Sequence, residues 1–504
     1  MSLSKNLSLM ELAREAYWKK FPGSSPLRLR WRALAVRHCF HVLPGERILE
    51  LGAGSGLWTE HLTTVLRGEN PITAVVFNAD LADEIRARAL PNVEVSHISD
   101  LAALPAGSFD YVVGTAILCH TEHAQNLQAI YRLLKPGGQL FFFEANYWNP
   151  QVFAKCTVPP LGRLAGHAEC QVGLRKYKLM QAASHQGYSD IHIVPYDILH
   201  PRTPARLLRF VNSVAFMFEQ APVLRELCGT LYIWARKPAM EGMRRQQVNL
   251  TSHPGLASAV SFVIPCHNEE MNVARLHQAL TAAYDEYVHE IIFVNDGSKD
   301  GTAAVVRELA DSDPRVRLVD RKPPNGVGRA LRDGYAAATG RYILSMDCDF
   351  EEIVPELRDM FDAVAEGFDG AIGSRFSHES VLINYPFTKI LCNRVFHLIA
   401  RVLLRISVRD ISNNLKLFRA DILKSIELEE NGFAANVETG LKPVLANYRI
   451  KEVPISWINR TVGMGTSSFS IRKVASGYAS ALMRLFKARN SGKIGTTARA
   501  ATVR

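Results

Sequence analysis

Short apolar runs alternate with longer amphipathic stretches through most of the chain. Ile48-Leu49-Glu50-Leu51, Ile72 through Phe77, Asn92-Val93-Glu94-Val95 and Phe109 through Val113 read as strands. So do Val260 through Ile264, Ile291 through Val294 and Tyr342-Ile343-Leu344 in the second half. Helical periodicity fills the intervals. That alternation predicts α/β domains with largely parallel sheets. The first series opens at Arg47 and closes near Trp234. Lys237 to Leu256 shows little apolar periodicity and reads as a linker. The second series runs from Val260 to about Phe486. The expected division is 1–237, a linker 238–257, a second domain 258–486 and a basic tail 487–504.

Composition changes this picture little. A 504-residue chain accommodates two domains, and 47% hydrophobic with 21% charged residues is a globular balance. No apolar run reaches the roughly 18 to 20 residues needed to cross a bilayer. Met1-Ser2-Leu3-Ser4-Lys5 lacks a signal-peptide core, and the eight cysteines show no Cys-x-x-Cys spacing. A reducing, cytoplasmic setting is therefore expected. The formal charge of +10 includes five bases and no acid from Lys487 to Arg504. A solvated tail and attraction to an anionic lipid both fit that patch. Nothing resembles a nucleic-acid-binding module, so no nucleic-acid partner is expected.

In the first half, β-like Ile48-Leu49-Glu50-Leu51 runs into Gly52-Ala53-Gly54-Ser55-Gly56, then a helix from about Trp58. Glycines suit a turn where backbone passes close to a ligand. The dinucleotide fingerprint sets its third glycine one residue later. The spacing here, with Glu50, resembles motif I of class I S-adenosylmethionine-dependent methyltransferases. Asp100-Leu101, the strand Phe109 to Val113 and the turn Leu133 to Gly138 agree with that family. The resemblance implies a Rossmann-like sheet that binds S-adenosylmethionine through Glu50, Gly52, Gly54, Gly56, Asp100 and Leu101. The ribose acid of the family falls on Asn78, or on Asp80 if the strand bulges. An Asn accepts only through its carbonyl. His120 follows the fourth strand and is the candidate general base for methyl transfer, with a structural role as its alternative.

In the second half, Asp347-Cys348-Asp349 follows an apolar run. Alone it fits solvated loop acids as well as a cation clamp. Its context is an ordered set of polar turns: Pro265-Cys266-His267-Asn268-Glu269, then Asn295-Asp296-Gly297-Ser298, then Asn325-Gly326. A calcium loop from Asp296 is excluded because its twelfth position is Arg307, where a bidentate Glu is required. The set resembles glycosyltransferase family 2, an inverting GT-A fold, and within it the dolichol-phosphate mannosyltransferases and other polyprenyl-phosphate glycosyltransferases. That resemblance implies a nucleotide-diphosphate sugar held by Pro265, Asn268, Glu269, Asp296 and Asp347. It also implies a divalent cation, Mg or Mn, on Asp347 and Asp349, with Glu351 where relatives carry Gln. Gly373-Ser374-Arg375, Asn393-Arg394, the stretch Asp410 to Phe418, Glu438 and Arg460 also match. Asn414 replaces a family Gly, which suits a left-handed backbone position.

The mechanism implied by the resemblance is direct displacement, with Asp349 and Arg460 as the catalytic residues. The cation and Arg460 neutralise the leaving diphosphate. A lipid phosphate is already anionic, since its second pKa is about 6. It needs guanidinium forks more than a base, and Arg375 and Arg394 are the candidates, a structural ion pair being the alternative for each. The helix expected from about Thr388 to Ile406 carries Arg394, Arg401 and Arg405 on one face beside a broad apolar surface. It fits both peripheral contact with the cytoplasmic face of a membrane and packing on the sheet. Two other functions stay open. One is transfer to a glycan or soluble hydroxyl with methylation of the same product. The other is a methyltransferase-like module that only binds or scaffolds.

Overall fold

The structure is a computed structural model that describes residues 3–118, 123–164, 172–240, 242, 245–377, 379–383, 385–458 and 471–491. Two units emerge, Met1–Gln246 and Gln247–Arg504.

The first unit holds seven strands: β1 (Ile48–Leu51), β2 (Ile72–Val76), β3 (Val93–His97), β4 (Phe109–Thr115), β5 (Leu134–Ala145), β6 (Ser189–Tyr196) and β7 (Thr230–Arg236). Their order is β3-β2-β1-β4-β5-β7-β6. The first five run parallel, and β7 is antiparallel to both β5 and β6. All four residues of β1 are buried, because helices cover both faces of a parallel sheet. Leu51 pairs with Val75 and with Gly114, so Gly52, Phe77 and Thr115 emerge at one edge. The turn expected at Leu133 to Gly138 is part of β5 instead. A register shift between Phe109 and Tyr111 absorbs it as a bulge, with Gly137 at φ 77°.

The second unit holds β8 (Val260–Cys266), β9 (Val288–Asn295), β10 (Val316–Asp320), β11 (Tyr342–Ser345), β12 (Gly370–Ser374), β13 (Val381–Ile383), β14 (Lys416–Arg419), β15 (Ile450–Pro454) and β16 (Ser456–Ile458). Seven of them order as β10-β9-β8-β11-β14-β12-β15, while β13 and β16 pair separately. Only β14 runs antiparallel to its neighbours. Ser345 pairs with Val263 and Cys266 with Asn295, which gathers the turns after β8, β9 and β11 at one end.

The segment read as a linker is anchored at both ends. Arg245 Nε pairs with Glu46 Oε1 at 2.8 Å. Leu250 is buried, and its N–H donates to Ala283 O at 2.7 Å. The last helix, Ile471–Asn490, carries Lys487 and Arg489 in its final turn, inside the segment expected as tail. Among the described residues no helix is long and apolar enough to cross a membrane.

Candidate functional site

In both sheets the strand order reverses between two parallel neighbours, β1 and β4 in the first and β8 and β11 in the second. Connections leave such neighbours in opposite directions, so a crevice opens at their carboxyl ends. Gly52, Gly54 and Gly56 follow β1 at the first crevice, and Asp347 and Asp349 follow β11 at the second.

At the first crevice Gly52, Gly54 and Gly56 take φ of 69°, 61° and 82°. A Cβ on Gly52 would lie 2.6 Å from Ile117 Cδ1, and one on Gly56 would lie 2.8 Å from Ile85 Cγ1. Only glycine fits that path. Glu50 is buried in β1, and its Oε2 makes no hydrogen bond among the described residues. Burial pushes its carboxyl up to about 7. Asn78 is the N-cap of the helix Ala79–Ala87, its Oδ1 accepting from Leu81 N at 3.3 Å. That bond takes one of the two lone pairs of its carbonyl oxygen. Asp80 is exposed. Asp100 caps a short turn through Ala102 N at 2.9 Å, and Leu101 is buried beside it. The backbone fits the cofactor that the motif implies. His120 lies outside the described residues.

Sequence reasoning missed the helix Leu3–Lys20. It brings Glu11, Arg14 and Glu15 onto the glycine turn. Glu11 accepts from Gly54 N at 3.0 Å, Phe77 N at 2.9 Å and Asn78 N at 3.0 Å. The available signal was a charged pair, Glu11 and Arg14, on the face that carries Leu7, Met10 and Trp18.

At the second crevice the turns after β8 and β9 are laced together. Asn268, at φ 58°, donates its N–H to Ser298 Oγ at 3.0 Å and accepts from Lys299 N at 2.8 Å. Glu269 N donates to Thr302 Oγ1 at 2.9 Å. Asp296 is buried; Arg321 donates to one carboxylate oxygen and Gly326 N to the other, at 2.7 Å. Pro265 is part of β8, one residue before this turn.

Past β11, Met346, Cys348 and Phe350 are buried while Asp347 and Asp349 are half-buried. Both aspartates lie in the turn that follows β11, where Phe350 N donates to Asp347 O at 3.3 Å. Asn414 Nδ2 donates to Asp347 Oδ1 at 2.9 Å. Asn414 takes no left-handed conformation, so the expectation for it is corrected. Its side chain serves as a tether for Asp347. Glu351 Oε2 instead meets Arg275 Nε at 2.9 Å. Among the described residues no three His, Cys, Asp or Glu side chains gather as a metal-holding group. Behind Asp347, Lys416 is fully buried, and its Nζ donates to Asn413 O and to Asn436 O at 3.0 Å. Burial pushes it down to about 7, against the pull of Asp410 and Asp347.

The two acceptor candidates differ. Arg375 is buried, and its fork meets Asp410 at 2.7 and 3.0 Å and Ser412 Oγ at 3.0 Å. Burial alone would raise the Asp410 carboxyl, but the Arg375 guanidinium overrides it and holds it well below the carboxylate range. Arg394 is half-buried in the helix Phe387–Leu404, 5.9 Å from the Phe376 ring centre. Burial and the like charges of Arg409 and Arg401 push it down. No ion pair forms at Arg394, Arg401 or Arg409 among the described residues. Arg460 lies outside the described residues.

The sequence model described as Glycosyl transferase family 2 matches residues 261–427, and that of a methyltransferase domain matches 49–142. The polyprenol monophosphomannose synthase of Mycolicibacterium smegmatis is 30% identical over 224 residues, 41% of this chain and 80% of that protein. The chain belongs to glycosyltransferase family 2. The undecaprenyl-phosphate mannosyltransferase of Micrococcus luteus is 28% identical over 222 residues, 42% of this chain and 88% of that one. A solved SAM-dependent methyltransferase from Thermotoga maritima is similar at 18% identity and a TM-score of 0.32, covering 45% of this chain and 98% of that one. The protein is thus a glycosyltransferase unit that follows a methyltransferase unit.

Two expected outcomes test this geometry. In the glycosyltransferase unit Asp410→Ala strands a buried guanidinium and is expected to cost about 3–5 kcal/mol in denaturant unfolding. In the methyltransferase unit Glu50 keeps a proton that the unfolded chain releases between its ordinary value of 4.5 and about 7. The native state binds more protons there, so stability falls as pH rises through that window. Glu50→Gln removes this titration. Its stability gain over the wild type is expected to grow from about pH 5 to about pH 7.5; a constant difference would refute the assignment.

Proposed function

We propose that the chain moves a sugar from a nucleotide diphosphate to a polyprenyl phosphate, and that its N-terminal unit moves a methyl group from S-adenosylmethionine. The observation that carries the glycosyl half is the carboxylate pair at the β8–β11 switch point. It occurs in a chain 30% identical to a polyprenol monophosphomannose synthase across 80% of that enzyme. Hard carboxylate oxygens suit Mg or Mn, and Asp347 and Asp349 are assigned to hold it. Donor phosphates and water are assigned the remaining positions, and Glu351 joins only on leaving Arg275. The bound cation supplies charge neutralisation at the leaving diphosphate.

The chain's own groups do the rest. Pro265, Asn268, Glu269 and Asp296 shape the donor turn. Arg460 is assigned to the leaving diphosphate. Arg394, which forms no ion pair among the described residues, is assigned to the acceptor phosphate; Arg375 acts through Asp410 as a positioning residue. An acceptor already ionised needs no general base, and displacement inverts the sugar. In the methyltransferase unit Glu50, Gly52, Gly54, Gly56, Asn78, Asp100 and Leu101 are assigned to the cofactor and His120 to proton removal.

The helix Phe387–Leu404 supports a setting at the cytoplasmic face of a membrane. Leu391, Val395, Leu398, Ile399 and Val402 are exposed on it, while Ile390, His397, Ala400 and Leu404 are buried. The exposed set repeats at helical spacing, so one stripe faces out, with Arg394 and Arg401 along its flank.

The deciding experiment is a donor screen with Mg or Mn and added polyprenyl phosphate. Lipid-linked product is expected; product with lipid-free acceptors alone refutes the acceptor. Asp349→Ala is expected to lower kcat about 100-fold or more with the fold intact. Sedimentation with phosphatidylglycerol vesicles checks the helix: Leu398→Glu with Val402→Glu is expected to lose most binding, and wild-type binding by that variant would refute it.

A further inference from the structure

The helix Leu3–Lys20 fills the cradle assigned to the cofactor with its own charged side chains. Arg14 donates to Gly52 O and, at 2.5 Å, to Thr115 O, the carbonyls at the ends of β1 and β4. Glu11 takes the N–H groups of Gly54, Phe77 and Asn78. Glu15 accepts from Ser55 N at 3.3 Å and from Ser55 Oγ. The room left by the missing Cβ atoms is occupied from the same helix. A Cβ on Gly52 would lie 3.0 Å from Arg14 Nη1, and one on Gly54 would lie 2.7 Å from Glu15 Oε2.

The chemistry of these contacts parallels that of the cofactor. S-adenosylmethionine carries an ammonium group, a carboxylate and a ribose diol. Backbone carbonyls suit the cation, and backbone N–H groups suit the oxygens. Arg14 supplies cationic N–H donors to the carbonyls, and Glu11 supplies oxygens to the N–H groups. Both groups are almost fully buried, and a buried charge persists only where it is paired. Leu7 and Met10 pack into the same core as Leu49, Leu51 and Ile117, so the helix is seated rather than resting on the surface.

We infer that this helix is an autoinhibitory strap, an internal occupant of the methyl-donor cradle that S-adenosylmethionine must displace. The inference rests on the reading of the first unit as an S-adenosylmethionine site. Ligand and strap compete for the amides of Gly54 and Asn78 and the carbonyl of Gly52. Apparent affinity is then the intrinsic affinity scaled by the fraction of chains with the strap open.

Calorimetric titration of the full chain with S-adenosylmethionine tests the strap, with Glu11→Ala/Arg14→Ala as the comparison. The double variant is expected to bind at least about tenfold tighter. Hydrogen exchange on the wild type needs no variant to fold: adding S-adenosylmethionine is expected to speed exchange across residues 7–17. Equal or weaker binding by the variant, with slower exchange on ligand addition, overturns the strap and makes the helix a lid that closes over the cofactor. No binding to either folded protein overturns the strap together with the cofactor site, and the two failures are told apart by whether the wild type binds.

Discussion

Two adjacent parallel strands whose crossovers leave in opposite directions cannot be covered at their carboxyl ends. That constraint acts in each sheet, between β1 and β4 and between β8 and β11. The glycine turn after β1 and the aspartates after β11 lie at these two places. In the first unit the gap meets a backbone that only glycine can follow. In the second it meets two half-buried aspartates in the turn after β11. The same topological accident yields two different sites because the residues after the strands differ: glycines expose amides and carbonyls, whereas aspartates expose anionic oxygen.

Charge placed in such gaps has to be held in position. Asp296 is fixed by Arg321 and Gly326, Asp347 by Asn414, and Asp410 by the fork of Arg375. Each pairing leaves a lone charge uncompensated if one partner goes, and each fixes a side chain before any ligand arrives. Against that background the arginines at 394, 401 and 409 stand apart. Among the described residues they form no ion pair, and Arg409 and Arg401 press on Arg394 more strongly than the carboxylates of Glu452 and Asp410 draw on it.

The fold and the two turns, glycine-rich after β1 and acidic after β11, were legible in the sequence because each directly follows an apolar strand. The bounds of the helix Phe387–Leu404 came within two residues because of a long apolar period. What local pattern does not carry is partnership. Nothing near Arg375 in sequence says that Asp410, 35 residues on, closes its fork. The substitution at Asn414 looked like a matter of backbone angle. Its meaning is a hydrogen bond to a residue 67 positions away. The bulge in β5 read as a turn because Pro136-Gly137-Gly138 carries turn residues, and tertiary pairing overrode them.

The N-terminal helix is the sharpest case. Its apolar positions, Leu7, Met10 and Trp18, are diluted by Glu11 and Arg14 on the same face, so periodicity alone undervalues it. Those charges make sense only across the gap, where Gly52 O and Thr115 O meet the guanidinium and three amides meet the carboxylate. A surface helix that merely covers a crevice would present apolar or uncharged side chains to it. One that carries a cation to the carbonyls and an anion to the amides is complementary to the site in the sense that a ligand is. The crevice therefore selects its occupant by charge pattern, and the chain supplies one of the two candidates itself.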